Sequence, residues 1–299
     1  MKKFFPEIIL LTITLIWGAT FVVVKSVLTD ISPLFFISVR FLFATVILLP
    51  FAFKLFKSFN RRVLWEGTLL GLIYFAGFST QTMGLKYTTA TKSAFITGAF
   101  VIFTPFFQTF FEKKPPRKEV IIGILLCVSG LILLTSKGNS LLDIFSEIRG
   151  SFNIGDFLTL LCAVFFALYI VYLDIVSKKN DYKPLVFLQI AVTGVCGLLF
   201  SFLFTEWKIE TIEFSFSNNL LFAVLYTSIL ATVLTTTLQT KYQKFVTPSV
   251  AGIILSFEPI FAALCAFFVL NEKISNFGLI GCVLIFTGLL VSETLNRNK

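Results

Sequence analysis

Ten long apolar runs separated by short polar joints constrain this chain more than any other feature. They cover residues 6–28, 33–53, 63–84, 89–111, 119–136, 154–176, 184–205, 219–240, 246–270 and 275–294. About 20 apolar residues in a helix cross the hydrocarbon core of a bilayer. A helix also satisfies its own backbone where no water is present. The runs therefore predict ten transmembrane helices and an all-α integral membrane protein. Only two joints are long. Residues 137–153 carry Leu141, Leu142, Phe145 and Ile148, a pattern that suits a short helix lying on the membrane surface. Residues 205–218 carry no pattern that assigns a conformation. The first run follows Lys2 and Lys3, but it exceeds the 7–15 residues of a signal-peptide core and no small-residue cleavage site follows, so a retained helix is expected.

Composition removes whole classes of function. Charged residues make up 14 % of the chain against about 25 % in soluble domains. That excludes an ordinary soluble enzyme and a nucleic-acid module. The chain has no histidine, so it holds no Ser-His-Asp triad, Cys-His dyad or His-ligated metal site. Cys127, Cys162, Cys196, Cys265 and Cys282 each lie in an apolar run and none has metal-ligand spacing. They are expected to be free thiols, with no disulfide, metal or cofactor. No phosphate-binding GxxxxGK[ST] loop is present, so this chain does not itself drive transport with ATP.

The net charge of +9 reports topology. With the N-terminus in the cytoplasm, 17 of the 25 Lys and Arg residues fall in inner segments, each holding at least two. The positive-inside rule then predicts both termini in the cytoplasm of a multi-pass cell (inner) membrane protein. Attraction to anionic lipid head groups accounts for the same charge, and nucleic acid needs no place.

The chain also repeats itself. Gly98, Pro105, Gly123 and Gly130 match Gly252, Pro259, Gly281 and Gly288 in register, and Pro33-Leu34 and Pro184-Leu185 open corresponding runs. Residues 1–136 and 154–299 thus read as two five-helix units joined by an extracytoplasmic linker at 137–153. Because five is odd, the second unit enters the membrane from the opposite side. Such inverted repeats are the frame of many secondary transporters.

Trp17-Gly18-Ala19-Thr20-Phe21 with Lys25, Arg40, Tyr87-Thr88-Thr89-Ala90, Pro248-Ser249 with Ala251-Gly252, and Glu258-Pro259 through Asn271-Glu272-Lys273 together resemble the EamA family of the drug/metabolite transporter superfamily. The resemblance covers essentially the whole chain. It implies a ten-helix bundle, alternating access, and a central cavity lined by the first, third, fourth, sixth, eighth and ninth helices, with the fifth and tenth to the side. It implies small metabolites such as amino acids as substrates, often exported. Phe166-Ala167 stands where the second unit would match Trp17-Gly18, so an asymmetric pocket is expected.

Several residues stand out against the apolar background. Glu258 lies within the ninth run, where a carboxylate costs roughly 3 kcal/mol on insertion scales. It is either a protonatable or substrate-contacting group, or a buried Glu bonded to a neighbouring helix. Pro259 removes the donor that the Leu255 carbonyl would use, so a kink is expected there, as at Pro105. Arg40 is costly in its run unless it pairs, with Glu258 for example, or reaches the outer interface. Lys25, Lys92, Glu66, Asp156 and Asp174 sit near run ends, where snorkelling or capping is the default. Lys92 also faces the start of a small-residue stripe. That stripe is Ala90, Ala94 and Gly98, with Pro248, Gly252 and Ser256 as its counterpart, and it suits close helix packing at the interface between the units. Trp17 lies mid-run, where it either packs or stacks on a substrate together with Tyr74, Tyr169 and Tyr172. Gln81, Gln108, Gln189 and Gln239 must face inward.

These features favour a secondary transporter, not an enzyme, and the resemblance implies export of a small organic metabolite such as an amino acid. Coupling to a proton through Glu258 and facilitated exchange are both open. The alternatives are a membrane-embedded lipid- or prenyl-handling enzyme or flippase, or a non-transporting receptor, neither of which needs two opposed units.

Overall fold

A computed structural model of the chain describes residues 4–54, 59–113, 115–134, 153–270 and 276–294. The 137–153 linker except Asn153, the Glu272-Lys273 joint, and the basic residues Lys2, Lys3, Lys57, Arg297 and Lys299 lie outside the described residues.

Helix starts follow the capping residues. The Asn60 side chain accepts from the Val63 N–H at 2.9 Å, and Ser217 accepts from Leu220 at 3.0 Å. Asn153 and Asp156 form a reciprocal capping box. The described helices are α1 (Phe5–Lys25), α2 (Pro33–Lys54), α3 (Arg61–Tyr87), α4 (Ala90–Gly98), α5 (Phe100–Glu112) and α6 (Lys118–Leu134). There follow α7 (Ile154–Ser177), α8 (Tyr182–Glu206), α9 (Asn218–Leu225), α10 (Thr235–Tyr242), α11 (Pro248–Leu255), α12 (Glu258–Leu270) and α13 (Asn276–Thr294). A π-helical stretch, Tyr226–Leu234, joins α9 to α10.

Eight of the expected spans are long and apolar enough to cross a membrane: α1, α2, α3, α4 with α5, α7, α8, the run Asn218–Phe245, and α11 with α12. Of the fifth expected span, the structure describes the 17 residues of α6, which rise about 26 Å, and residues 135 and 136 lie outside the described residues. The tenth counts as an apolar helix over Asn276–Ser292 alone. The described elements are therefore all helices, and eight of the spans are supported by length and composition. Phe106, Phe110, Leu125, Phe268 and Val283 are each more than 60 % exposed, an outer surface that suits lipid. All five cysteines are free.

The two halves of the chain pack against each other throughout. α3 lies against α7 and α8, α2 against α8, α1 against α12, and α6 against α13. The last pair is held together by glycines. A Cβ on Gly123 would lie 2.7 Å from the Gly288 carbonyl oxygen, and one on Gly130 2.6 Å from that of Gly281. Only glycine permits backbones this close.

The 205–218 joint docks on the turn between α1 and α2. Ser32 N–H donates to the Glu213 carbonyl at 3.1 Å and Ser215 N–H to that of Asp30 at 2.7 Å. Glu210 accepts from Leu34 N–H at 3.4 Å at the start of α2 and faces Lys86 at 3.9 Å. Burial raises the Glu210 carboxyl above the usual Glu value, opposed by the Leu34 bond and by Lys86. Lys25 Nζ donates to the carbonyls of Leu85 at 2.7 Å and Lys86 at 3.1 Å, closing the end of α3. The contacts of this joint with the turn were not visible in the sequence because they join segments about 180 residues apart.

Candidate functional site

Two local breaks shape the centre of the bundle. The ninth expected span stops at Leu255 and restarts at Glu258, with Ser256 and Phe257 between the two segments. Pro259 is the second residue of the new segment and has no N–H for the Leu255 carbonyl. The fourth span breaks at Ala99, between α4 and α5. Pro105 lies six positions further on, inside α5, so the described break is not at that proline.

Glu258 therefore opens a helix in the middle of a span. It is 6 % exposed and has no hydrogen-bond or ion-pair partner among the described residues. Its backbone is close to α1 because Gly18 allows it. A Cβ on Gly18 would lie 2.6 Å from Phe261 Cβ and 2.8 Å from Ala262 N.

A cavity of about 430 Å³, counting the space continuous with solvent, lies beside Glu258. From the first half it is lined by Trp17 and Thr20 of α1, Tyr74, Phe78 and Gln81 of α3, and Phe100 of α5. From the second half come Phe166, Tyr169 and Ile170 of α7, Gln239 of α10, Leu255 of α11 and Glu258 of α12. These helices belong to the first, third, fourth, sixth, eighth and ninth spans. Tyr74 and Tyr169 stack at 4.5 Å, and Phe78 meets Tyr74 at 4.7 Å and Phe166 at 5.2 Å.

Arg40 is 3 % exposed and does not line the cavity. It pairs neither with Glu258 nor with any other described acid, and it does not reach the interface. Its Nε donates to Thr232 Oγ1 at 2.9 Å and its Nη2 to the Ala231 carbonyl at 3.1 Å. Its guanidinium lies 4.8 Å from the ring centre of Phe78 and 5.0 Å from that of Phe41. The π-helix makes the Ala231 acceptor available. Thr235 N–H bonds to Leu230, five residues back, instead of Ala231, four back. The released carbonyl also accepts from Trp17 Nε1 at 3.1 Å and Thr235 Oγ1 at 2.9 Å. Trp17 Nε1 shares its proton with Thr235 Oγ1 at 3.0 Å.

A second network runs below the tyrosines. Tyr169 donates to Gln189 Oε1 at 2.9 Å, and Gln189 Nε2 donates to Thr240 at 3.0 Å. Tyr74 and Thr236 share a bond of 3.1 Å. Gln243 Nε2 donates to the Ile170 carbonyl at 2.7 Å, which turns its Oε1 toward Gln239 Nε2 at 2.8 Å.

Of the residues singled out in the sequence, Trp17, Tyr74, Gln81, Tyr169, Gln239 and Glu258 meet in one cavity. Lys92 is elsewhere, its Nζ 2.6 Å from the carboxylate of Asp156, which also accepts from Thr88 at 2.8 Å. Gln108 holds Ser249 at the far side of α5. Ala90, Ala94, Gly98, Gly252 and Ser256 are buried, and a Cβ on Gly98 would lie 3.1 Å from Pro259 Cγ. Sequence reasoning missed Thr20, Phe78, Phe100, Ile170 and Leu255 as lining. Thr20 carried a faint signal, three residues after Trp17 on the same helix face. Phe78 and Phe100 carried none, because no pattern sets them apart among 39 phenylalanines.

The chain was compared with known proteins. The model of the EamA-like transporter family matches residues 4–136 and again 153–294. An uncharacterized transporter of Archaeoglobus fulgidus is 31 % identical over 291 residues, covering 97 % of this chain and 86 % of the relative. The uncharacterized transporter YoaV of Bacillus subtilis is 23 % identical, covering 97 % of both. One crystal structure aligns with a TM-score of 0.75 over 98 % of this chain and 97 % of its own, at 17 % identity, a likeness of fold alone.

Proposed function

The chain belongs to the EamA-like transporter family, and from that premise we propose that it is a secondary transporter exporting a small organic solute of the class that includes amino acids. Its relatives are named transporters, which indicates transport and not catalysis. Two opposed five-helix units, 1–136 and 154–299 with an extracytoplasmic linker at 137–153, would alternate access to the cavity. One observation carries this reading: a cavity shared by both halves of the chain holds a buried, unpartnered carboxylate where a span is broken. Half-helix termini that face a central cavity are a recurrent way of making solute sites in membranes. The breaks at Ala99 and Ser256-Phe257 are the joints about which the lining would move, with Pro259 keeping the second from closing into a continuous helix.

Counterflow tests the proposal. Liposomes carrying the protein and loaded with mixed amino acids and amines should accumulate labelled solute faster than protein-free liposomes, saturably. No saturable exchange with any member of the pool would overturn the reading. The proton is the proposed coupling ion, carried by Glu258. An imposed pH gradient should then drive accumulation above the equilibrium level, and accumulation that stops at equilibrium would assign facilitated exchange instead.

The proposed site is the cell membrane with both termini in the cytoplasm, on the strength of the basic inner segments. A reporter fused at Lys179 should read cytoplasmic and one at Trp207 extracytoplasmic. The reverse pattern at both would overturn the orientation.

A further inference from the structure

We infer that the cavity selects an organic ammonium ion with an apolar or aromatic body, and that it disfavours the same body carrying a free carboxylate. The inference rests on the transport reading and narrows its substrate class to amines over amino acids.

The argument is an inventory of what the lining leaves unsatisfied. Its indole donor and the hydroxyls of Thr20 and Tyr169 are already committed to protein, and the Tyr74 hydroxyl shares one bond with Thr236. Trp17 Nε1 is held by Ala231 and Thr235, Thr20 donates to the Trp17 carbonyl at 2.6 Å, Tyr169 donates to Gln189, and Tyr74 is bonded to Thr236. The unused capacity is of the opposite kind. Glu258 brings a carboxylate with no partner among the described residues. Gln239 is 1 % exposed and its Oε1 has no partner. The orientation of that amide follows from its neighbours. Gln243 must give Nε2 to the Ile170 carbonyl, so it offers Oε1 to Gln239, and Gln239 must answer with Nε2 and leave its own Oε1 free.

A buried acceptor left empty costs about 1–3 kcal/mol, and more when charged. A ligand that fills this site must therefore donate to Gln239 Oε1 and to the Glu258 carboxyl, and a cation is the ligand that pairs with Glu258 once its proton leaves. The remaining donors are the neutral amide N–H groups of Gln81 and Gln239 and the Tyr74 hydroxyl, and none of them neutralises an anion. Among the described residues, no lysine or arginine lines the cavity. Arg40 is turned to Ala231 and Thr232 and stacked on Phe41 and Phe78, while Lys92 is paired with Asp156. A ligand carboxylate would enter without a counter-charge, beside Glu258, in a site with little water to screen it. The rest of the wall is aromatic: Trp17, Tyr74, Phe78, Phe100, Phe166 and Tyr169. Ring faces attract cations as well as apolar groups.

The test uses three probes with one body. 2-Phenylethylamine, phenylalanine and 3-phenylpropionate share a phenylethyl frame and differ in charge as cation, zwitterion and anion. Binding is measured by calorimetry on the full chain in lipid nanodiscs, with empty nanodiscs subtracted. The amine should bind at least tenfold tighter than phenylalanine, and 3-phenylpropionate should show no binding above the blank. Phenylalanine or 3-phenylpropionate binding as tightly as the amine, or no amine binding above the blank, would overturn the inference. Glu258→Gln should weaken the amine at least tenfold, and unchanged affinity in the folded variant would overturn it too. If that variant does not fold, Gln239→Leu should weaken the amine about threefold, and the wild-type ladder stands without either. The outcome is separable from the transport reading. Amine binding without counterflow would sink transport and keep the site, whereas saturable counterflow of zwitterions alone would keep transport and sink this inference.

Discussion

Replacing Arg40 by lysine is expected to slow solute exchange about tenfold or more, with folded yield within twofold of the wild-type chain. The charge survives the change, but its geometry does not. Arginine reaches Thr232 and Ala231 from two nitrogens of one rigid fork, with its guanidinium carbon 5.0 Å from the ring centre of Phe41 and 4.8 Å from that of Phe78. An ammonium is a point charge and cannot reproduce the pair. Interhelical hydrogen bonds in membranes average about 0.6 kcal/mol each, and a desolvated cation–ring contact adds up to about 2. Part of that total is lost, and it is lost where Trp17 is anchored on the same Ala231 carbonyl. Trp17 lines the cavity, so a looser anchor disturbs the solute and not only the fold. Arg40 is thus a positioning residue. Counterflow rates at saturating and subsaturating solute would be measured, alongside monodispersity in detergent. Exchange within twofold of wild type would show that Arg40 supports nothing the cavity uses. A collapse of folded yield would show a structural role alone.

Gly288→Ala is expected to destabilise the protein by about 1–3 kcal/mol, the usual cost of overpacking a tight site. The added Cβ would meet the Gly123 carbonyl oxygen at 2.6 Å, with Cys127 N at 3.3 Å behind it. Both are backbone atoms, so no side chain can swing aside, and α6 and α13 must separate. Val283→Leu is the control, since Val283 is 63 % exposed on the lipid-facing side of the same helix. Thermal unfolding in detergent would be followed for both. An unchanged midpoint for Gly288→Ala would mean that the two helices are not held as closely as described.

The glycine and proline register was legible because these residues mark backbone constraints that a single sequence shows directly. Gly123, Gly130, Gly281 and Gly288 were picked out as a repeat, and in the fold they become the contact points of α6 and α13. Glu258-Pro259 announced a broken span for the same reason: a proline deletes a named donor whatever surrounds it. Pro105 shows the limit. The local break appears at Ala99, at the end of a small-residue helix, and nothing in the one-dimensional pattern places it there.

The sequence by itself determined that the chain is helical and membrane-embedded, which aromatic and polar residues must be hidden from lipid, and where one span is interrupted. Those conclusions rest on costs paid residue by residue: an unpaired backbone group, a buried charge, a missing N–H. Tertiary structure alone decided which hidden groups meet. The stretch Tyr226–Leu234 contains neither glycine nor proline, yet it is π-helical. Its irregularity frees the Ala231 carbonyl, and that carbonyl collects donors from Trp17 and Arg40, 214 and 191 residues away in the chain. Arg40 was read as a partner for Glu258 because a buried charge calls for an opposite one. The fold gave the arginine a carbonyl, a hydroxyl and two ring faces instead, and left the carboxylate facing the cavity. Each residue's cost is fixed by its own chemistry, but which neighbour offsets it depends on helix packing that local pattern does not encode.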